Sequence, residues 1–332
     1  MADATRLRNM NTELVRHALR SGSAMSKNDL ARETGLSFPT VSRTVDQLVL
    51  LGEIREAGAA ASTGGRCAQQ YMRDPHFRVM LCARLENGRL HYAVRDLDGA
   101  VVQQGEQQRK TSVLQMLYEL ASRMRQQYPN LGSAVLGVDC AVHDGKVSED
   151  AAYADLRGLD LAGELTARCG ALCIVMRDIF LAAMGCCVRE GWMDEVVVAI
   201  HLSASGMQAG LVMNGQVFTG ASSFAGALHY LPIKHNLDYA KTQFAGADMT
   251  AYYMQVIRAY AALVNPKRVV LYQNPLLQGR LERIRYACAQ TLPAQALPEL
   301  VVSAAFDMDY DAGLWDRANK ITEDRIHELL YL

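Results

Sequence analysis

The sequence predicts an α/β chain in two parts, a winged helix-turn-helix followed by a two-lobed α/β body. Three observations predict it. Residues 26–51 hold two short helical patterns around a glycine stop, and the second has a polar N-terminal half. Residues 77–108 and 195–219 open alike, each with strand-like runs, and helix and strand patterns follow both. Asn-Gly or Asp-Gly pairs at 87–88, 98–99 and 214–215 separate the runs, and such pairs mark tight hairpins.

The first helix is predicted within residues 1–22, where Leu7, Met10, Leu14, Val15, Ala18 and Leu19 recur at helical spacing before Gly22. Arg6 and Arg8 read as solvated charge, with a phosphate contact as the alternative. Ser26 is placed to cap the next helix, and Asp29, three residues on, approximates the partner of a capping box. Leu30 and Ala31 face inward, and Gly35 ends the helix. Ser37 caps the following one, with Pro39 in its first turn, where a missing amide costs nothing. Val41, Val45, Leu48 and Val49 make its apolar face, whereas Thr40, Ser42, Arg43 and Gln47 make a polar one.

That polar face suits the DNA major groove, which admits one helix and is read by Arg, Gln, Ser and Thr. Arg43 is assigned to base readout, and Thr40 and Ser42 to bases or phosphates. Lys27 and Ser37 would position the backbone. Residues 52–56 and 67–71 read as the strands of a wing, with Arg66 at its base able to reach a phosphate or the minor groove. The alternative is a helical hairpin used for packing or dimerisation.

Residues 72–76 (Met-Arg-Asp-Pro-His) break the pattern and mark a boundary. In the body, helices are expected near 111–128, 161–169 and 179–190, and buried strands at 134–142 and 171–178. After the second meander come a helix at 249–263, a strand at 268–272, a helix at 276–291, a strand at 299–303 and a helix at 311–330. The domains are therefore read as 1–75 and 76–332, with lobe one about 76–190, lobe two about 191–310 and a C-terminal helix 311–330. Two such lobes form the actin/hexokinase-like (ribonuclease H-like) plan, which leaves a cleft for a small molecule.

Composition narrows the class. The chain has 332 residues, half of them hydrophobic, and a net charge of −1. Residues 1–75 hold ten Lys and Arg against eight Asp and Glu, a mild excess of positive charge on the segment read as DNA-binding. The eight cysteines form no CxxC pair and no Cys/His cluster with zinc spacing, so buried free thiols and no metal are expected. The polar N-terminus and the lack of an apolar run of about 18 residues predict a cytoplasmic protein with no membrane partner.

The segments LARETGLSFPTVSRTVDQLVLLGEI with the following TGGR, VVVAIHLSASGMQAGLVMNGQVFTGASSFAGALHYLPI, and LVNPKRVVLY resemble the ROK family (repressor, open reading frame, kinase), specifically its winged-helix repressors of sugar metabolism. The resemblance covers nearly the whole chain. It implies a repressor of carbohydrate-related genes, bound as a homodimer or higher oligomer to a pseudo-palindromic operator in double-stranded DNA. It also implies a sugar-like effector between the lobes.

The departures from the family pattern bear on chemistry. The first phosphate loop of the family's kinases is replaced by Cys82–Asn87 without a glycine pair, and the second retains Gly206 and Gly210 in a Ser203–Gly210 run. The Asn-Asp pair of the sugar site reads Arg177-Asp178. The Glu expected after Ala225-Gly226 is Ala227, the Gly-His pair is His229-Tyr230, and the cysteine-rich zinc loop is missing. The chain is therefore expected to be no enzyme and to need no cofactor. Arg177, Asp178 and His229 are the ligand candidates, for a sugar, sugar acid or sugar phosphate, while an Arg177–Asp178 ion pair is the plain alternative. Two other functions compete: a sugar kinase with a DNA-binding head, and a regulator with no effector.

Overall fold

A computed structural model of the chain describes residues 2–20, 22–59, 68–109, 112–148, 153–203, 206–233 and 249–328. The chain packs as two compact units. Met1–Val79, Arg95–Val102 and Lys320–Leu332 make the first; Met80–Val94 and Gln103–Asn319 make the second.

The first unit runs α1 (Ala2–Leu19), β1 (Met25–Ser26), α2 (Lys27–Thr34), α3 (Phe38–Leu50), β2 (Ile54–Ala59) and β3 (Gln69–Arg73). Local chemistry sets each boundary. Ser26 caps α2 through a complete capping box, its hydroxyl accepting from the Asp29 amide while the Asp29 carboxylate accepts from the Ser26 amide. Gly35 ends α2 in the left-handed region. Ser37 then caps α3 by accepting from the Thr40 amide. Val15, Leu19, Leu30, Val41, Val45, Leu48, Ile54 and Tyr71 form one buried core, each large aliphatic side chain adding about 1.5–3 kcal/mol of burial. The wing strands pair antiparallel in the order β1-β3-β2, with a bulge between Glu56 and Gly58.

Two features of this unit depart from the sequence pattern. The periodic residues Leu7, Met10 and Leu14 of α1 are exposed, while Asn9 and Thr12 are buried. Six apolar positions there cover more than one helix face, and periodicity alone does not choose which face turns inward. In addition, Arg16 clamps the buried Glu53 in a bidentate pair, at 2.5 and 2.6 Å, and so ties α1 to the turn before the wing.

The body holds two five-stranded sheets. The first comprises β4 (Val79–Glu86), β5 (Arg89–Asp96), β6 (Val101–Gln108), β7 (Leu131–Val138) and β10 (Leu172–Arg177), in the order β10-β7-β4-β5-β6. α4 (Val113–Gln127) and α5 (Leu161–Cys169) lie among its connections, with a small hairpin of β8 (Val142–His143) and β9 (Lys146–Val147). After α6 (Asp178–Glu190) the second sheet repeats the plan with β11 (Val197–Ser203), β12 (Gly206–Met213), β13 (Gln216–Val217), β14 (Arg268–Tyr272) and β15 (Glu299–Ser303), ordered β13-β12-β11-β14-β15. In both orders the meander lies on one side, and its first strand neighbours the strands added later. The Asn87-Gly88 and Asn214-Gly215 turns both have positive φ at each residue, as a type I′ hairpin requires.

α7 (Met249–Val264), α8 (Leu281–Thr291) and α9 (Phe306–Glu328) complete the body. α8 starts five residues later than its apolar pattern suggests. The Asn274 side chain accepts from the amides of Leu276 and Leu277, and Gly279 sits at φ 71°, so a turn holds residues 274–280. α9 starts five residues earlier than expected, because Asp307 and Asp309 favour its N-terminal dipole end while Tyr310 packs inward.

Candidate functional site

Two regions gather the candidate residues. The first is the outer face of α3. Its inner face is fixed by Val41, Val45 and Leu48 in the core, which turns Ser42, Arg43, Asp46 and Gln47 outward or half-outward. Arg43 is exposed, and among the described residues nothing pairs with its guanidinium. Ser37 and Thr40 bond to each other through their hydroxyls at 2.8 Å. Lys27, from α2, donates to Ser42 Oγ at 3.0 Å and to Asp46 Oδ1 at 2.6 Å. Sequence reasoning overlooked Asp46, although it lies four residues after Ser42 and therefore on the same helix face. It also overlooked Arg55, exposed on β2. Arg66 lies outside the described residues.

The second region is a cavity of about 350 Å³ in the body. Lobe one lines it with the β8–β9 hairpin, β10 and the start of α6, lobe two with Thr219 and Ser223, and α9 with Arg317. Arg177 ends β10 and is 6% exposed. Its Nη2 donates to Gln208 Oε1 at 2.5 Å, its Nη1 donates to the Ala225 carbonyl at 3.4 Å, and the Phe180 ring lies 5.0 Å away. The glycine beside Ala225 makes this seat possible. Gly226 has φ 79°, and a Cβ there would lie 1.8 Å from the Ala209 carbonyl oxygen on β12.

Asp178, the first residue of α6, is 5% exposed, and its Oδ1 accepts from the Ile179 amide at 2.7 Å. The two neighbours take separate hydrogen-bond partners and still attract each other electrostatically. Burial pushes the Asp178 carboxyl up to about 7, against the pull of the Ile179 amide and Arg177, and Asp139 and Glu86 raise it further. Asp139, after β7, is itself raised by burial and has one carboxylate oxygen without a partner among the described residues. It is a further member of this acidic cluster that sequence reasoning missed, although an Asp directly after a buried strand is a visible signal. His229 is exposed, lies against Tyr230 with ring centroids 4.1 Å apart, and does not line the cavity. His235 lies outside the described residues, and among the described residues no group of three or more His, Cys, Asp or Glu could hold a metal ion.

A pH dependence follows from Asp178. The folded protein holds its proton more tightly than the unfolded chain does. The stabilisation is therefore full below the ordinary value of 3.8 and is lost as pH rises through about 7. Buried His201, lowered to about 4, acts with the opposite sign. Asp178→Asn removes the first contribution alone. Between pH 4 and 7, the stability of the variant relative to wild type is expected to rise with pH in denaturant titrations.

Residues 82–242 match the ROK family. The chain is 22% identical over 255 residues to a xylose repressor of Caldicellulosiruptor bescii and 20% identical over 245 residues to the xylose repressor of Bacillus subtilis. These matches take in 72% and 71% of this chain but 62% and 64% of the relatives' lengths. Among solved structures, a ROK family transcriptional regulator, a homologue of the E. coli MLC protein, aligns over 97% of this chain and 99% of its own, with a TM-score of 0.65 at 17% identity. A ROK hexokinase from Thermus thermophilus aligns over 74% of this chain and 99% of its own, with a TM-score of 0.57 at 16% identity. The match to the ROK family thus takes in the first lobe, Arg177 and Asp178 at the end of β10, and the opening strands of the second sheet, and the solved structures share the fold of the two repeated sheets.

Proposed function

We propose that the chain is a sequence-specific DNA-binding transcriptional repressor of carbohydrate-related genes, governed by a small ligand in the body. The observation that carries this reading is the outer face of α3, where Arg43 stands exposed, without a partner among the described residues, beside a capped, rigidly packed helix start. A helix fixed in this way presents its side chains to base edges with little further loss of freedom. Relatives named xylose repressors support the same reading. Two copies would present their α3 helices to half-sites one helical turn, about 34–36 Å, or a multiple apart on a pseudo-palindrome. Lys27, Ser37, Thr40 and Ser42 serve positioning. By linkage, an inducing ligand binds the DNA-free form more tightly than the bound form.

The reading assigns no catalytic step. In the stretch that resembles the family's first phosphate loop, Arg84 donates to Asp307 at 2.8 Å, so a cation already tied to α9 stands there. A coupled ATPase assay with a hexose panel is expected to show no turnover, and phosphorylation of any hexose would move the chain to the kinases.

The primary test is retention of sheared genomic DNA of the source organism at near-physiological salt, followed by sequencing. Enrichment of one pseudo-palindrome is the expected result; uniform recovery from folded protein, with and without sugars added, would overturn the reading. On the recovered site, Arg43→Ala is expected to lose about 1–3 kcal/mol of binding and to leave nonspecific affinity nearly unchanged. Equal weakening on all sequences would make Arg43 a phosphate contact.

A further inference from the structure

The body cavity contains a buried positive charge whose hydrogen-bond acceptors among the described residues are neutral. Arg177 remains a cation in any surroundings because its guanidinium does not deprotonate in proteins. At 6% exposure it is removed from bulk water, and a buried charge is retained at acceptable cost when it is paired. Yet the two groups that accept from it, Gln208 Oε1 and the Ala225 carbonyl, carry no charge. Asp178, the next residue along the chain, attracts Arg177 through space but directs an oxygen to the Ile179 amide. A guanidinium has five N–H groups, so Arg177 keeps donors in reserve.

The rest of the wall fits the same ligand. The hydroxyl-bearing Thr219 and Ser223 line it from lobe two, and Asp144 lines it from the β8–β9 turn. Arg317 lines it from α9, is exposed, and has no partner among the described residues. Ile174 and Met176 contribute apolar surface. A volume of about 350 Å³ is at the small end of ligand pockets and suits a single sugar-sized molecule.

We propose that this cavity takes a small polyol bearing one anionic group, a carboxylate or a phosphate, which accepts directly from Arg177 as a hydrogen-bonded counter-charge. Thr219, Ser223 and Asp144 meet the ligand's hydroxyls, and Arg317 adds a second cation. Since both lobes and α9 line the cavity, such a ligand bridges them, which is the geometry an effector needs. The inference deepens the effector part of the function proposed above. It is measured without DNA, so a negative result leaves the operator experiment intact, and a failed operator experiment leaves ligand binding measurable.

The test is calorimetric titration of the full chain at low salt with matched probes. D-glucose and D-xylose are the neutral arm, D-gluconate and D-xylonate the carboxylate arm, and D-glucose 6-phosphate with inorganic phosphate the phosphate arm. At least one polyol anion is expected to bind about tenfold or more tightly than its neutral parent, as a charge-assisted pair implies. The arm that binds identifies the group. Arg177→Gln is expected to erase that advantage, and Arg317→Gln to weaken it several-fold. Raising the salt should weaken the anion more than a neutral sugar. The proposal is overturned if a neutral sugar binds as tightly as its anion, if no polyol anion binds, or if folded Arg177→Gln keeps the anion's affinity. Should Arg177→Gln fail to fold, Arg317→Gln and the salt series decide, and insensitivity to both overturns it.

Discussion

Asp309→Ala is expected to destabilise the body by about 3 kcal/mol, at the lower end of what removal of one partner from a buried charge pair costs. Asp309 is 1% exposed, on the first turns of α9. One carboxylate oxygen accepts from Arg189 on α6, and the other accepts from the buried Tyr272 hydroxyl of β14 at 2.8 Å. One side chain thereby joins α9, α6 and the second sheet. Truncation leaves the Arg189 guanidinium without that partner and the Tyr272 hydroxyl with only the Ala182 carbonyl, at 3.3 Å. Arg189 is partly exposed, so water recovers some of its solvation, which is why the lower figure applies. Asp307→Ala is the control. Its side chain is 73% exposed and its pair with Arg84 is a surface one, so a loss below about 1 kcal/mol is expected. Denaturant midpoints of the two variants measure the difference. Equal losses would show that Asp309 is no hub.

Leu48→Ala is expected to cost the first unit about 2–5 kcal/mol and to abolish operator binding. Leu48 is 1% exposed and sits in the core that α3 shares with α1, α2 and β2. The transfer free energy of its lost atoms and the cavity left behind add together. A core of this size has little stability in reserve, so the recognition face is lost with the packing that aims it. Leu50, two residues on, is 86% exposed, and Leu50→Ala is expected to stay within about 0.5 kcal/mol. Binding of operator and of random DNA separates the variants. Leu48→Ala should weaken both, whereas Arg43→Ala should weaken the operator alone. Proteolysis within residues 2–73 should accelerate only for Leu48→Ala.

Much of the architecture is legible without coordinates, because its signals are local. Capping by Ser26 and Ser37, the stop at Gly35 and the Asn-Gly turns are decided by a few neighbouring atoms, and they appear where the sequence places them. Strands β14 and β15 coincide with their predicted spans for a similar reason: each is a short apolar run between clear breakers. The starts of α8 and α9 depart from the apolar pattern where a side chain, Asn274 or Tyr310, overrides it through a turn or a distant contact.

The candidate sites divide in the same way. The sequence alone determined which helix would present a polar face and which residues, Arg43 foremost, stand on it, because helical periodicity sets faces without reference to the rest of the chain. It also placed Arg177-Asp178 at the end of a buried strand. Only the tertiary structure decided what those residues touch. Gln208, the Ala225 carbonyl, Thr219, Ser223 and Arg317 come from separate segments of the chain. It likewise set Lys27 against Asp46, and the exposed apolar side of α1 away from the core. Partners distant in sequence leave no periodic trace along the chain. Their meeting depends on how whole sheets and helices pack, and that packing gave Arg177 neutral hydrogen-bond acceptors among the described residues.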